Sequence, residues 1–373
     1  MPIEQGSGGG SKPGSASATS IEAEIRQKLA RQQSTLEQNF ANLHDDARLS
    51  SVRTTMEQTS AKLAALPGRL QKLRARGFQF QSTLEGELER LARDWEQFKP
   101  QFAASAERET QRLAGPMARV QEEVMGGRRY MSLPVSQVSA KLDQSSAQFE
   151  NLKKEITAAS NTLQQTLTSA SAGIMKAEKL ISDAETMLNE LDAASFRLLP
   201  GEAPVAMSQA EWQRAKDDEL KGLLFITDHR LIFERKEDVV TGRRLLIFKD
   251  KTKVRELMME APIGSVEDVV VERVGGLFKK QMVRFVFTAP PAFYREMLMS
   301  LRAEPAEWKG LITRVITEDV EKDRVASEAG AEPKEPSVPT VIRCTGCGAT
   351  LNAPIVKGMK SIKCEYCGTI IRV

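Results

Sequence analysis

Nine positions spaced seven residues apart, Val135, Leu142, Phe149, Ile156, Leu163, Ala170, Ala177, Ala184 and Leu191, are all apolar. A repeat of this length constrains the chain strongly. A seven-residue period is kept by a continuous helix with one buried stripe, not by a strand or a loop. A second stripe lies three residues further on, at Val138, Ser145, Leu152, Ala159, Thr166, Gly173, Leu180 and Met187. It is interrupted by Ser, Thr and Gly, so the pattern is a coiled-coil seam that thins toward its alanine-rich end. At helical rise, residues 135–191 span roughly 85 Å.

Helical patterning extends over residues 21–195. Leu84, Leu88, Leu91, Trp95, Phe98 and Phe102 alternate steps of four and three, and Leu63, Leu66, Leu70 and Leu73 form a shorter run. Breaks are expected at Pro67-Gly68, Gly77, Pro100, Gly115-Pro116, and between Met125 and Pro134, where proline removes a helix donor and glycine weakens the helix. Two arrangements fit equally: antiparallel helices folded back within one chain, or a parallel homodimer over 135–194. A homo-oligomer is the partner expectation for this half. The polar faces mix both charge signs, unlike the lysine-rich face of a membrane-lying helix.

All four cysteines fall near the end of the chain, as Cys344-Thr-Gly-Cys347 and Cys364-Glu-Tyr-Cys367. A two-residue gap lets both sulfurs of a pair turn inward, and two such knuckles close a four-thiolate cage. Gly348 and Gly368 follow the second cysteine of each pair, where the turn benefits from positive φ. The expectation is one structural Zn²⁺ held by Cys344, Cys347, Cys364 and Cys367, with no open position for catalysis. Iron in the same cage, two disulfides, or redox-active pairs are the alternatives. No secretory signal argues for disulfides, and no helix follows either pair as a redox motif requires. The repeated Cys-x-x-Cys-Gly over 340–373 resembles the zinc ribbon family.

Between helices and cysteines the patterning becomes short and β-rich. Leu223–Thr227, Arg230–Glu234, Leu245–Phe248, Val266–Val271 and Met282–Thr288 read as strands, with turns at Asp228-His229 and Gly275-Gly276. Trp308, Leu311, Ile312 and Val315 recur at helical spacing. Leu198-Leu-Pro-Gly-Glu202, Gly222-Leu-Leu-Phe-Ile-Thr-Asp-His-Arg-Leu-Ile-Phe-Glu234 and the final helix resemble bacterial PH-like and GRAM domains over 197–318. That resemblance implies a small, strongly bent β-barrel capped by a C-terminal helix, and a module that docks lipid headgroups or proteins. Residues 237–262 depart from a minimal domain and read as an enlarged loop. Phe278, Lys279 and Lys280 are candidate lipid or partner contacts, since an apolar wedge with ammonium groups suits an anionic membrane. Arg243, Arg244, Lys249, Lys251 and Lys253 are further basic candidates. Interleaved acids favour solvated strand faces for these charges. His229 reads as a turn residue, with no second histidine near it.

Charge is nearly balanced, 53 basic against 50 acidic residues for a net +3, which argues against nucleic acid contact along the whole chain. Aromatic residues are sparse at 5% and charged ones frequent at 28%, as suits long helices. Residues 1–20 are Gly/Ser-rich without an apolar core, and read as a flexible leader and not a signal peptide. No apolar run is long enough to span a bilayer, so cytoplasmic residence is the default, with peripheral membrane contact left open. Residues 319–339 form an acidic, Pro-containing linker. Glu318 to Glu335 carries seven acids against three bases, whereas Val341 to Val373 carries five bases against one acid. No phosphate-binding glycine loop, zinc-protease helix or nucleophile elbow is present. The chain thus reads as an α+β multidomain protein with a long helical coiled-coil N-terminal half, a small PH-like β-barrel with its helix, and a C-terminal zinc ribbon. A non-enzymatic scaffold or adaptor is expected. A factor contacting DNA or RNA through the basic ribbon is the alternative.

Overall fold

The computed structural model describes residues 15–215, 218–244, 248–274, 280–288, 294–325, 342–351, 361–364 and 366–372. For 15–19, 238–253 and 342 the description is of the backbone alone. The chain is α+β and divides into two compact units, residues 1–64 with 90–175, and residues 65–89 with 176–373.

Four helices make up the N-terminal half: α1 (Ser15–Ala47), α2 (Ser50–Ala75), α3 (Leu84–Gly126) and α4 (Val135–Asp192). Helix α1 starts inside the segment expected to be a flexible leader. In the first unit the helices fold back on one another. Gln33 Nε2 donates to the Val124 carbonyl at 2.6 Å, Trp95 Nε1 to Ser60 Oγ at 2.8 Å, and Gln148 Nε2 to Glu123 at 3.1 Å. Helices α1 and α2 therefore run one after the other along α3, and α4 returns antiparallel to it. The break between α1 and α2 is a single turn around buried Leu49 at φ 54°. Arg26 closes the α3–α4 turn by donating to the Met131 and Leu133 carbonyls at 3.0 and 3.1 Å.

One core holds this unit together: Leu36, Phe40 and Leu43 from α1, Leu113 and Val124 from α3, and Leu142, Phe149, Leu152 and Ile156 from α4. From Val138 to Ala159 the apolar stripe of α4 packs on the chain's own α1 and α3.

Two sequence expectations are corrected here. Pro67, Pro100 and Pro116 do not break their helices but lie within α2 and α3. An interior proline costs about 3 kcal/mol. Leu66 and Leu70 beside Pro67 are fully buried, and each such side chain stabilises by about 1.5–3 kcal/mol, so packing wins. The breaks at Gly77 and after Gly126 do occur. The second stripe of α4 is also displaced. Val138, Ser145, Leu152 and Ala159 are buried as expected, but Thr166 is exposed, and Leu167, Ile174, Ile181 and Leu188 take over. A straight helix drifts by about 20° per heptad. From Val138 to Thr166 the drift approaches the 100° that separates neighbouring residues, which moves the seam on by one position.

The second unit contains the ends of α2, α3 and α4 and a seven-stranded antiparallel sheet: β1 (Pro204–Ala215), β2 (Asp218–Thr227), β3 (Arg230–Arg244), β4 (Phe248–Pro262), β5 (Val266–Val274), β6 (Lys280–Phe287) and β7 (Glu296–Leu301). Strand order is β4-β3-β2-β1-β7-β6-β5. Helix α5 (Pro305–Ile316) packs on β5 and β6 through Trp308, Ile312 and Val315. Its N-terminus carries Pro305 where the missing donor costs nothing.

Residues 237–262 are not a loop but most of a long β3–β4 hairpin, paired from Arg230↔Pro262 out to Arg244↔Phe248. Arg235↔Glu256 and Asp238↔Lys253 set opposite charges across it, whereas Lys236↔Arg255 and Arg243↔Lys249 set like charges across it, so charge pairing alone does not account for the hairpin. Strands β1 and β7 were not read from the sequence. The strand run Leu245–Phe248 and the turn at Gly275-Gly276 fall largely outside the described residues.

Residues 319–325 of the segment expected to be linker are structured. Residues Asp319–Asp323 form a 3-10 turn, and Val325 N donates to the Gln79 carbonyl at 2.7 Å.

Candidate metal centre and charged joint

Each cysteine pair sits at the tip of a short hairpin. The first joins β8 (Ile342–Arg343) to β9 (Thr350–Leu351), the second β10 (Ser361–Lys363) to β11 (Ile370–Arg372). The two knuckles repeat the same bonds. Cys344 N donates to Ala349 O at 2.8 Å and Gly348 N to Cys344 O at 2.8 Å. Cys364 N donates to Thr369 O at 2.8 Å and Gly368 N to Cys364 O at 2.9 Å. Closing so tight a loop requires the left-handed backbone at Gly348 (φ 74°) and Gly368 (φ 77°), which a Cβ would strain.

The knuckles bring all four sulfurs within 4.8 Å of one another. Cys344 Sγ lies 3.5 Å from Cys367 Sγ, and Cys347 Sγ 3.6 Å from Cys364 Sγ. Tetrahedral ligands 2.3 Å from a zinc ion would stand about 3.8 Å apart. All four thiols are free, so the disulfide alternative fails. Both pairs lie between strands, so the redox alternative lacks its helix.

Without an ion, the four sulfurs do not ionise together. Hydrogen bonds from the Thr369 side chain and backbone hold Cys367 down to about 6. Cys347 is pushed up to about 12: the Ala349 N–H favours its thiolate, but the adjoining Cys367 and Cys364 sulfurs and burial outweigh it. One thiol ionises at its neighbour's expense, and all four become thiolates together only around a positive ion. The residues fit Zn²⁺, and the same cage accepts iron.

Residues of the strings Leu198–Glu202 and Gly222–Glu234 build a buried joint. Gly222 lets β2 approach β3 closely, since a Cβ there would stand 2.1 Å from the Glu234 carbonyl oxygen. Arg230 is 1% exposed and binds Glu202 with two nitrogens, Nε to Oε1 at 2.8 Å. Thr227 Oγ1 donates to the same carboxylate, and Glu202 also accepts from Leu199 N at 2.6 Å. Burial alone would lower the Arg230 pKa, but its bonds to Glu202 and then Glu260 raise it.

Next to this pair, buried Asp228 accepts from Ala203 N at 2.9 Å and Arg324 Nη2 at 2.5 Å, and lies 2.7 Å from His229 Nδ1. Burial pushes its carboxyl up. The His229, Ala203 and Arg324 contacts outweigh that and hold it below the ordinary carboxylate range. His229 is thus a turn residue between β2 and β3.

Arg324 also stacks over Phe80, 4.6 Å from the ring centre. A second tie runs from buried Glu234, which accepts from Ser195 N at 2.5 Å and from Arg255 at 2.9 Å, while Arg255 and Lys236 hold Glu190 at the end of α4. Ala194 and Phe196 then cover Leu223 and Phe225 of β2 and Ile232 of β3. These ties fasten the sheet to the helix ends within the second unit. Sequence reading missed them because Arg324, Phe80 and Glu190 lie in three distant segments.

Of the lipid-contact candidates, Lys280 begins β6 with its Nζ 2.6 Å from Glu211. Phe278 and Lys279 lie outside the described residues, as do the side chains of Arg243, Arg244, Lys249, Lys251 and Lys253.

No family model matches the chain, and no curated protein matches it. Among solved structures it is similar to the linker-DH/PH domains of p115-RhoGEF, at 13% identity over 81% of this chain and 98% of that one, with a TM-score of 0.23. The DH/PH domains of PDZ-RhoGEF in complex with GTP-gamma-S activated RhoA match at 12% identity over 78% and 95%, TM-score 0.24. The hSac2 domain of the human phosphoinositide phosphatase Sac2 matches at 14% identity over 42% and 96%, TM-score 0.22. Likenesses this distant assign neither a family nor an activity. No helix among the described residues is long and apolar enough to cross a membrane.

Proposed function

We propose that this chain is a non-enzymatic docking scaffold. Its GRAM-type PH-like domain presents a protein- or membrane-facing surface, and a zinc ribbon holding one structural Zn²⁺ adds a second contact. The observation that carries this reading is the joint. Arg324 on Asp228 and Phe80, Glu234 on Ser195, and Arg255 on Glu190 spend buried charge to fasten the sheet to the helix ends. Buried charge is costly unless paired, and here the pairing holds a head on its mount. A protein partner is the first expectation, and an anionic membrane the second.

The test is retention by the immobilised full chain. A protein or anionic vesicles should be held, and excess soluble chain should compete them off. Failure to retain either contradicts the reading.

A second reading rests on the ribbon surface. Tyr366 and Ile370 are 70% and 69% exposed. Lys363 pairs across the hairpin with Ile370, and Arg372 with Ser361. An aromatic ring beside basic groups suits stacking and phosphate contact with single-stranded nucleic acid. If this reading holds, affinity for single-stranded DNA or RNA falls steeply with added salt. Salt-independent or absent binding removes it.

A further inference from the structure

Within the second unit, an open groove of about 1220 Å³ lies between the end of α4 and the outer face of β1, β2, β3 and β7. Its lining includes five basic residues and three acidic ones. Each acid already has a cation: Glu190 binds Lys236 and Arg255, Glu211 binds Lys280 at 2.6 Å, and Glu237 binds Arg235 at 2.8 Å. Two cations are left in surplus. Lys221 is 68% exposed and stands 3.9 Å from Glu211, which Lys280 already holds. Arg302 meets the Gln209 side-chain oxygen at 3.3 Å.

Strand register sets how far apart these two cations are. Lys221 lies opposite Glu211 on one side of β1, and Arg302 lies opposite Gln209 on the other, donating its backbone N–H to the Gln209 carbonyl at 3.0 Å. Two strand spacings across and two residues along put their backbones about 12 Å apart. That is close to the spacing of residues i and i+4 in an extended chain, which share one face. Between them on the same face stands Gln209, with Ala193 on the facing wall, while the alternating Ala210 and Leu301 turn to the other face of the sheet. The Glu211 carboxylate also lies between the two cations, which disfavours a compact multivalent phosphate there.

We propose that this groove takes an extended acidic segment of a partner protein, with carboxylates four residues apart on Lys221 and Arg302. The inference rests on the docking reading and names the chemistry of its partner.

The probe is a fluorescein-labelled peptide of Glu-Ser-Leu-Ser-Glu, titrated with the full chain and read by anisotropy. Its Lys-Ser-Leu-Ser-Lys counterpart and phosphatidylserine vesicles serve as comparators. The acidic peptide should bind and the basic one should not. Lys221→Glu with Arg302→Glu should weaken binding about tenfold, the combined effect of two partly exposed ion pairs. Lys221→Met with Arg302→Met should weaken it in the same direction, and unchanged thermal melting shows that these surface variants fold. Lys179→Glu, on an exposed stretch of α4 beside Asp183, should leave it unchanged. Equal binding of the two peptides, or undiminished binding by the double variants, overturns the proposal. So does vesicle binding that the double variants abolish while the peptide stays bound. If the full chain retains a protein and the double variants retain it equally, the groove inference fails while the docking reading stands.

Discussion

The helical bundle and the ribbon meet the same requirement, enough buried interaction to offset chain entropy, by opposite means. The bundle spreads its stability over a core that runs from Leu29 to Ala159 through three helices. Any one position there is replaceable at a finite cost. Among the described residues the ribbon buries three apolar side chains, Leu351, Ile362 and Ile371, beside Cys344 and Cys364. At about 1.5–3 kcal/mol each, these cannot offset an ordering cost of about 1–2 kcal/mol per residue over the roughly twenty described residues of this segment. On the proposed function, the order of this segment is concentrated in one bound ion and four sulfurs. A distributed core degrades gradually, whereas a concentrated one is lost at once.

The sharpest break in that comparison is Cys364→Ser. It should abolish metal binding and unfold the ribbon while the thermal transition of the helices stays in place; coupled loss of both would show that the regions are not separate in stability. Next in size is Arg230→Met, which leaves Glu202 buried without its cation. A loss of about 3–5 kcal/mol in denaturant unfolding is expected, and a loss below 1 kcal/mol would mean that the pair is not sealed from water. A matched pair then tests the shifted seam of α4. Leu167→Ala should cost about 2–5 kcal/mol, whereas Thr166→Ala should change stability by less than about 0.5 kcal/mol. Equal costs would restore the strict heptad.

Acid gives a smaller and sign-specific effect. The folded Asp228 carboxyl is depressed, so its contribution is complete above the unfolded value near 4 and is lost as pH falls through the folded value. The stability gap between the wild type and Asp228→Asn should be flat above about pH 5 and shrink under acid. A gap that grows on acidification contradicts this. Smallest of all is Lys179→Ala, which removes an exposed pair with Asp183 and should cost less than about 1 kcal/mol by thermal melting.

What could be read from the sequence followed the range of the signal. The seam of α4 was legible because seven-residue spacing is local, and it failed only where drift accumulated beyond Ala159. Prolines misled, because Pro67 is read alone while Leu66 and Leu70 act through tertiary burial. The β2–β3 hairpin was clear from its apolar runs. Strand β1 was not, although Ser208, Ala210 and Trp212 alternate inward, because two of the three are small. The clustering of the four cysteines was legible, since short loops fix its geometry. The joint was not, because Phe80, Asp228 and Arg324 meet only after the whole second unit has folded.

Metal content measured together with amide hydrogen exchange tests the account most directly. One zinc per chain is expected, and a strong chelator should erase protection at Ile362, Cys364 and Ile371 while Phe40, Leu113 and Ile156 stay protected. A ribbon whose amides remain protected after its metal is gone would contradict the claim that the ion organises it.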